Sequence, residues 1–275
     1  MPIIDSAHIE SLSRCGAFVC DLDGTLFLQN EAIPGAVKFL NHINNSDRQL
    51  YYFTNNTSLS RQTWVEKLAG FNFPVDDDQL MTSADCAAAY LKRHELFPQI
   101  YLVGNAELKM EFESRGYICL AEEKALLEEP KAVVLGFDTE ISYKKIRTCY
   151  DLILRDIPYI ATHPDTLCPV APGMFKPDVG SFISMFETAT GGRKPVIVGK
   201  PTREAVRFIS ERAGLPNDKI AFIGDRLYTD IRMAVTAGMV SVLVLSGETT
   251  EQMVSLSRDR PKIIVNSVAD LVQYL

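Results

Sequence analysis

The feature that most constrains this chain of 275 residues is a set of short, unbroken apolar runs separated by longer stretches of helical periodicity. Ala17–Cys20, Gln49–Phe53, Pro195–Val198, Lys219–Ile223 and Ser241–Leu245 are each rich in Val, Ile, Phe, Tyr or Leu. Strands that are apolar without alternation suit a sheet covered on both faces, as parallel sheets are. Between them, Gly35–Ile43 and Thr202–Arg212 place apolar side chains three and four residues apart, and Thr229–Ala237 is followed by Gly238, a helix stop. Strand alternating with helix predicts an α/β fold on a mostly parallel sheet.

The middle of the chain repeats this pattern on its own account. Ile100–Val103, Ala132–Leu135 and Tyr159–Thr162 read as strands, and Ala106–Arg115 and Ser142–Arg155 as helices. A second α/β unit of roughly 100 residues is therefore inserted into the first, a usual domain size. The expected organisation is an outer domain made of 1–81 and 181–275 and an insert over 82–180. The borders read as loops, one near Met81–Asp85 and one within Pro169–Gly180. At the amino end, Asp5 or Ser6 is placed to cap a short helix through Leu12.

Composition narrows the function. A hydrophobic share of 47% and a charged share of 23% fit a globular protein with a real core. A net charge of -7 without a basic stripe argues against nucleic acid and against an anionic membrane surface. With neither a signal pattern nor a spanning run, a cytoplasmic protein is expected. The six cysteines form no CxxC pair and no zinc spacing, so they are expected as reduced thiols.

Chemistry gathers where strands end, the edge at which open α/β sheets bind ligands. Asp21-Leu22-Asp23-Gly24-Thr25 puts two carboxylates one residue apart. They repel unless a proton or a cation lies between them, and Mg²⁺ is the usual cation at phosphate sites. The plainer alternative is a strand followed by an Asp-Gly turn. Thr54-Asn55-Asn56 offers a hydroxyl and backbone N–H groups to phosphoryl oxygens, or else a helix cap. Lys200, in Gly199-Lys200-Pro201, is a point charge for a phosphate or a solvated surface lysine. Asp225 and Asp230, in Gly224-Asp225-Arg226-Leu227-Tyr228-Thr229-Asp230, complete a metal site or merely start a helix. Each signal is modest alone. The four in this order, each after its own strand, leave little room for chance.

Together these motifs resemble the haloacid dehalogenase superfamily of phosphohydrolases, and within it the NagD-like, 4-nitrophenylphosphatase branch. The stretches Gly136-Phe137-Asp138 and Ala161-Thr162-His163-Pro164-Asp165 resemble that branch in particular. The resemblance implies a Rossmann-like doubly wound parallel sheet with an inserted α/β cap domain. It implies Asp21 as nucleophile, forming an aspartyl-phosphate, and Asp23 as general acid and base. Mg²⁺ would be held by Asp21, the Asp23 carbonyl and Asp225, with Asp230 behind them steadying the metal-bound waters or Lys200. Thr54, Asn55, Asn56 and Lys200 would grip the phosphoryl group. In the cap, Asp138, Tyr143, His163, Asp165 and Cys168 are candidates to touch the substrate, a small phosphorylated metabolite. A homodimer through the cap is also consistent with the resemblance. The chain departs from the branch at His163, where the usual pattern has Asn, and at Cys168, where relatives acting on larger phosphates have His.

Other classes compete. A receiver domain also pairs aspartates with Thr and Lys, but needs neither Asp23 nor a domain-sized insertion. Dehalogenases of the superfamily lack the second acid. A phosphomutase shares the Asp pair, and a catalytically idle binding protein is disfavoured because every chemical residue is intact.

Overall fold

The computed structural model describes residues 4–171 and 173–275, so Met1, Pro2 and Ile3, and Pro172 in the expected Pro169–Gly180 border, lie outside the described residues. The chain divides into two compact units. One takes Met1–Thr54, Gln62–Met81 and Ala205–Leu275, the other Asn55–Arg61 and Thr82–Glu204.

The first unit is built on a six-stranded sheet. In spatial order its strands are Ile263–Val265, Val240–Val244, Ile220–Gly224, Ala17–Cys20, Gln49–Thr54 and Leu80–Thr82. Numbered along the chain this is 6-5-4-1-2-3, the doubly wound order. Ala17–Cys20 pairs in parallel with Ile220–Gly224 on one side and Gln49–Thr54 on the other. The first strand and the fourth therefore meet at the point where the winding reverses. Every residue of Ala17–Cys20, Ile220–Gly224 and Val240–Val244 is buried, as their uninterrupted apolar sequence predicts. The helix Ala36–Asn44 buries Ala36, Phe39, Leu40 and Ile43 at helical spacing. At the amino end Asp5 does cap a helix, Ser6–Ser13, accepting from the His8 N–H at 2.9 Å.

The second unit holds a five-stranded parallel sheet, ordered Val196–Ile197, Tyr159–Ala161, Ala132–Leu135, Gln99–Val103 and Ile118–Cys119. Its core packs Val133, Leu135, Phe137, Cys149, Leu152, Ile153, Ala161, Val179 and Phe186. Two expectations need correction here. The insert does not stop at residue 180. Helix Val179–Ala189 buries Val179 and Phe186 in this core, and Val196–Ile197 pairs with Tyr159–Ala161. The borders are also not loops. Strand Leu80–Thr82 runs straight into helix Ser83–Arg93, with Thr82 as its capping residue. Within Pro169–Gly180, strands Leu167–Ala171 and Met174–Pro177 form an antiparallel pair.

Asp85 ties the second unit together. Its carboxylate accepts from the Thr82 N–H at 2.8 Å, Arg61 Nη2 at 2.7 Å and Arg115 Nη2 at 2.5 Å. Burial alone would push its pKa up, but the two guanidinium charges outweigh burial and hold it below the usual carboxylate range. A depressed folded pKa gives stability that is present above the unfolded value, near pH 4, and lost as pH falls through the folded one. Asp85→Asn is expected to cost about 3 kcal/mol at pH 7 by leaving two arginines without their anion. The deficit should shrink as pH drops below about 4, in urea unfolding followed by circular dichroism.

Candidate active site

The reversal point of the six-stranded sheet puts an aspartate after each of its two middle strands. Asp21 follows Ala17–Cys20, and its N–H donates to Ile223 O at 2.8 Å, extending the ladder by one rung. Asp225 follows Ile220–Gly224. A single π-helical turn, Leu227–Ile231, then swings Asp230 back into the interior. Such turns recur at functional sites. One carboxylate oxygen from each of Asp21, Asp225 and Asp230 lies within 4.8 Å of the others.

This group is buried: Asp21 is 8%, Asp225 2% and Asp230 0% exposed. Burial, then the charges of Asp21 and Asp230, push the Asp225 carboxyl well above its ordinary value, against the opposing pull of Arg226 and of the Glu248 N–H. Asp225 Oδ2 accepts that N–H at 2.7 Å, whereas Oδ1 is buried without a hydrogen-bond partner. Two glycines leave the room. A Cβ on Gly24 would stand 2.4 Å from Asp225 Oδ2, and one on Gly247 2.0 Å from it. Gly24 also needs its φ of +85°, open to glycine at little cost. Hard oxygens, an unanswered lone pair and repelling charge fit a hard divalent cation such as Mg²⁺.

The remaining expected residues divide between the units. Asp23, partly exposed, and Thr54, buried, belong to the first. Thr25 Oγ1 donates to Asp21 Oδ2 at 3.5 Å. Asn55, Asn56, His163, Asp165 and Lys200 belong to the second. There, Asn55 spans Lys200: Nδ2 donates to the Lys200 carbonyl at 3.1 Å and Oδ1 accepts the Lys200 N–H at 3.0 Å. Asn55 Nδ2 also donates to Asp165 Oδ2 at 3.2 Å. Gly199 allows this approach, since a Cβ there would lie 2.4 Å from Thr162 O and 2.8 Å from Asn55 Oδ1. Asn56 Oδ1 accepts from the Ser58 N–H and Oγ at 2.9 and 2.7 Å, a turn of its own.

The insert candidates differ in setting. Asp138 is buried, ion-paired to Lys145 at 2.7 Å, and accepts the Glu140 N–H. His163 has no exposed surface. Tyr143 is 77% exposed at the start of its helix.

One element escaped the sequence altogether. The loop after strand Val240–Val244 ties the two aspartate loops together. Ser246 Oγ donates to the Gly24 carbonyl at 2.8 Å, Gly247 makes room for Asp225, and the Glu248 N–H holds Asp225. The Glu248 carboxylate then forms an ion pair with Arg226 Nε and accepts from Tyr228 OH, both at 3.1 Å. The only signal was a polar Ser-Gly-Glu at the carboxyl end of an apolar strand, beside the strand that ends in Gly-Asp.

With this geometry in hand, comparison with known proteins is decisive. The haloacid dehalogenase-like hydrolase model matches residues 18–118, and a related HAD-hydrolase-like model matches 197–271. A dihydroxyacetone phosphatase of Corynebacterium glutamicum (strain R) is 30% identical over 255 residues, 93% of this chain and 90% of its own. A glycerol-3-phosphate phosphatase of Gallus gallus is 31% identical over 292 residues, covering 96% and 93%. The crystal structure of a 4-nitrophenylphosphatase from Thermotoga maritima superposes with a TM-score of 0.89 at 36% identity, covering 96% of this chain and 98% of that one. The chain belongs to the haloacid dehalogenase-like hydrolases, and within them it is a phosphatase of the NagD-like, 4-nitrophenylphosphatase branch.

Removing the charge at the cluster's centre should separate stability from metal binding. Without metal, Asp225→Asn is expected to melt higher than the wild type at pH 7, because one repelling carboxylate is gone. Adding Mg²⁺ at 100 times its Kd should then stabilise the wild type by about 2.7 kcal/mol and the variant by almost nothing. Differential scanning calorimetry with and without Mg²⁺ reads both.

Proposed function

We propose that this phosphatase hydrolyses small phosphorylated metabolites in an Mg²⁺-dependent reaction that passes through an aspartyl-phosphate on Asp21. The observation that carries this reading is the buried trio of Asp21, Asp225 and Asp230, with the Asp225 Oδ1 lone pair unanswered. Asp21, Asp225 and the Asp23 carbonyl would hold Mg²⁺, which supplies charge neutralisation for the carboxylates and the phosphoryl oxygens.

The chain's own groups supply the rest. Asp21 attacks phosphorus, and its carboxylate is aimed by the strand pairing that fixes its backbone N–H. Asp23, two residues on and beyond the buried group, gives a proton to the leaving oxygen and then takes one from water. Thr54, Asn55 and Asn56 present donors to the phosphoryl oxygens. Lys200 meets their charge, its main chain set by the Asn55 amide. Asp230 Oδ2 accepts the Arg226 N–H at 3.2 Å, and it steadies the turn that carries Asp225. The insert would supply leaving-group recognition, with Asp165 among the residues that do so.

The curated relatives act on dihydroxyacetone phosphate and glycerol 3-phosphate by their names. We extend to this chain a preference for small sugar and polyol phosphates, with nucleoside monophosphates a less favoured class and 4-nitrophenyl phosphate an artificial substrate. Six free thiols favour a reducing cytoplasm. Among the described residues no helix is long and apolar enough to cross a membrane. Exposed Leu167, Met174 and Phe175 on the insert's hairpin favour a homodimer through that unit.

Phosphate release from a panel of monoesters tests the reading. Release should require Mg²⁺, stop with a chelator and vanish in Asp21→Asn. Asp23→Asn should lose about 100-fold or more in kcat for alkyl esters. Its deficit should be smaller for 4-nitrophenyl phosphate, whose leaving group needs no proton. Undiminished release in chelator, or from Asp21→Asn, would refute the mechanism.

A further inference from the structure

His163 stands where the branch pattern has Asn, and the reaction as proposed gives it no step. Its ring is completely buried in the second unit, between the carboxylates of Asp165, which is partly buried, and Asp178, which is buried. Nδ1 lies 3.6 Å from Asp165 Oδ2, and Nε2 lies 3.7 Å from Asp178 Oδ1. Neither ring nitrogen has a hydrogen-bond partner. Asp178 is occupied locally, with Oδ1 accepting the Val179 N–H at 2.7 Å as the cap of helix Val179–Ala189. Asp165 is not confined to its own turn. Its Oδ2 receives Asn55 Nδ2, and the same Asn55 amide brackets the main chain of Lys200 on both sides.

We infer that His163 is a positioning residue, fixing Asp165 so that the Asn55 amide holds Lys200 in its working place. This rests on the reading in which Lys200 meets the phosphoryl charge. The physical reason lies in the sense of the amide. Asn55 clamps Lys200 only with its nitrogen toward the Lys200 carbonyl and its oxygen toward the Lys200 N–H. An acceptor-only carboxylate at Asp165 enforces that sense, because only a donor satisfies it. The buried ring packs against this carboxylate with its Nδ1 edge 3.6 Å from Oδ2, and so limits where the carboxylate can turn. With a smaller or differently shaped side chain there, the Asp165 carboxylate has room to swing away from Asn55 Nδ2, and the amide loses the acceptor that fixes its sense toward both Lys200 groups. The side chain acts through two others and touches no substrate, in agreement with its complete burial.

The test uses side chains that mimic one edge of the ring. Asn places its amide nitrogen near imidazole Nδ1, Gln near Nε2, and Leu offers neither. With the full-length enzyme and 4-nitrophenyl phosphate, His163→Leu is expected to lower kcat/KM about tenfold, as for coupled neighbours in one network. His163→Asn should restore activity to within about twofold, and His163→Gln should not. In a Lys200→Ala background the same His163→Leu change should cost less than about twofold, because the group it positions is gone. An equal loss in both backgrounds, or rescue by Gln rather than Asn, would overturn the inference in favour of general packing. Full activity of His163→Leu would also overturn it. Undiminished turnover of Lys200→Ala alone would remove the underlying role of Lys200, a separate failure that the single variant exposes.

Discussion

Three carboxylates crowded at the reversal point of a parallel sheet are what the rest of this molecule is built to tolerate. Two unit charges about 4 Å apart repel by roughly 4 kcal/mol at an effective dielectric of ~20. Three such pairs rival the whole folding stability of a typical domain, roughly 5–15 kcal/mol. Burial and the charges of Asp21 and Asp230 push the Asp225 carboxyl well above its ordinary value, and a cation beside the three would relieve that repulsion. The surrounding structure spends its order on keeping them close. Adjacent parallel strands deliver Asp21 and Asp225, a π-turn returns Asp230, and two glycines remove the side chains that would part them.

The strap Ser246–Gly247–Glu248 extends the same logic. It joins the loop of Asp21 to the loop of Asp225 through one hydroxyl, one bare Cα and one N–H. The Glu248 carboxylate meanwhile draws the Arg226 guanidinium and the Tyr228 hydroxyl to itself. An arginine beside three acids has an obvious alternative, folding onto them and taking the cation's place. Its ion pair with Glu248 keeps it occupied while its charge still lowers the cost of the cluster. In the second unit, Asn55 plays a comparable part, using a side-chain amide to fix a backbone rather than to meet a ligand.

What the sequence disclosed follows from the range over which its signals act. Strands buried on both faces announce themselves, so Ala17–Cys20 and Ile220–Gly224, and the aspartates after them, are legible from their unbroken apolar runs. The three-residue strands Leu80–Thr82 and Ile263–Val265 are too short to show a period, and only pairing with long neighbours makes them strands. The true extent of the second unit was hidden for a related reason. Val196–Ile197 reads as any apolar strand, and nothing local says that its partner is Tyr159–Ala161. Asn55 and Lys200 were singled out as phosphate ligands because of their residue types. That the amide of one clasps the backbone of the other, 145 residues away, is a contact that spacing cannot reveal.

The central claim, that Asp21 itself carries the phosphoryl group, is tested most directly by trapping. The enzyme would be mixed with a rapidly cleaved ester, quenched within one turnover and reduced with borohydride, which converts an acyl phosphate to an alcohol. The account predicts that the peptide containing Asp21 is recovered with homoserine at that position, and that a substrate-free control is not. Homoserine at another aspartate, or an unmodified Asp21 after a full turnover's worth of phosphate has been released, would contradict it.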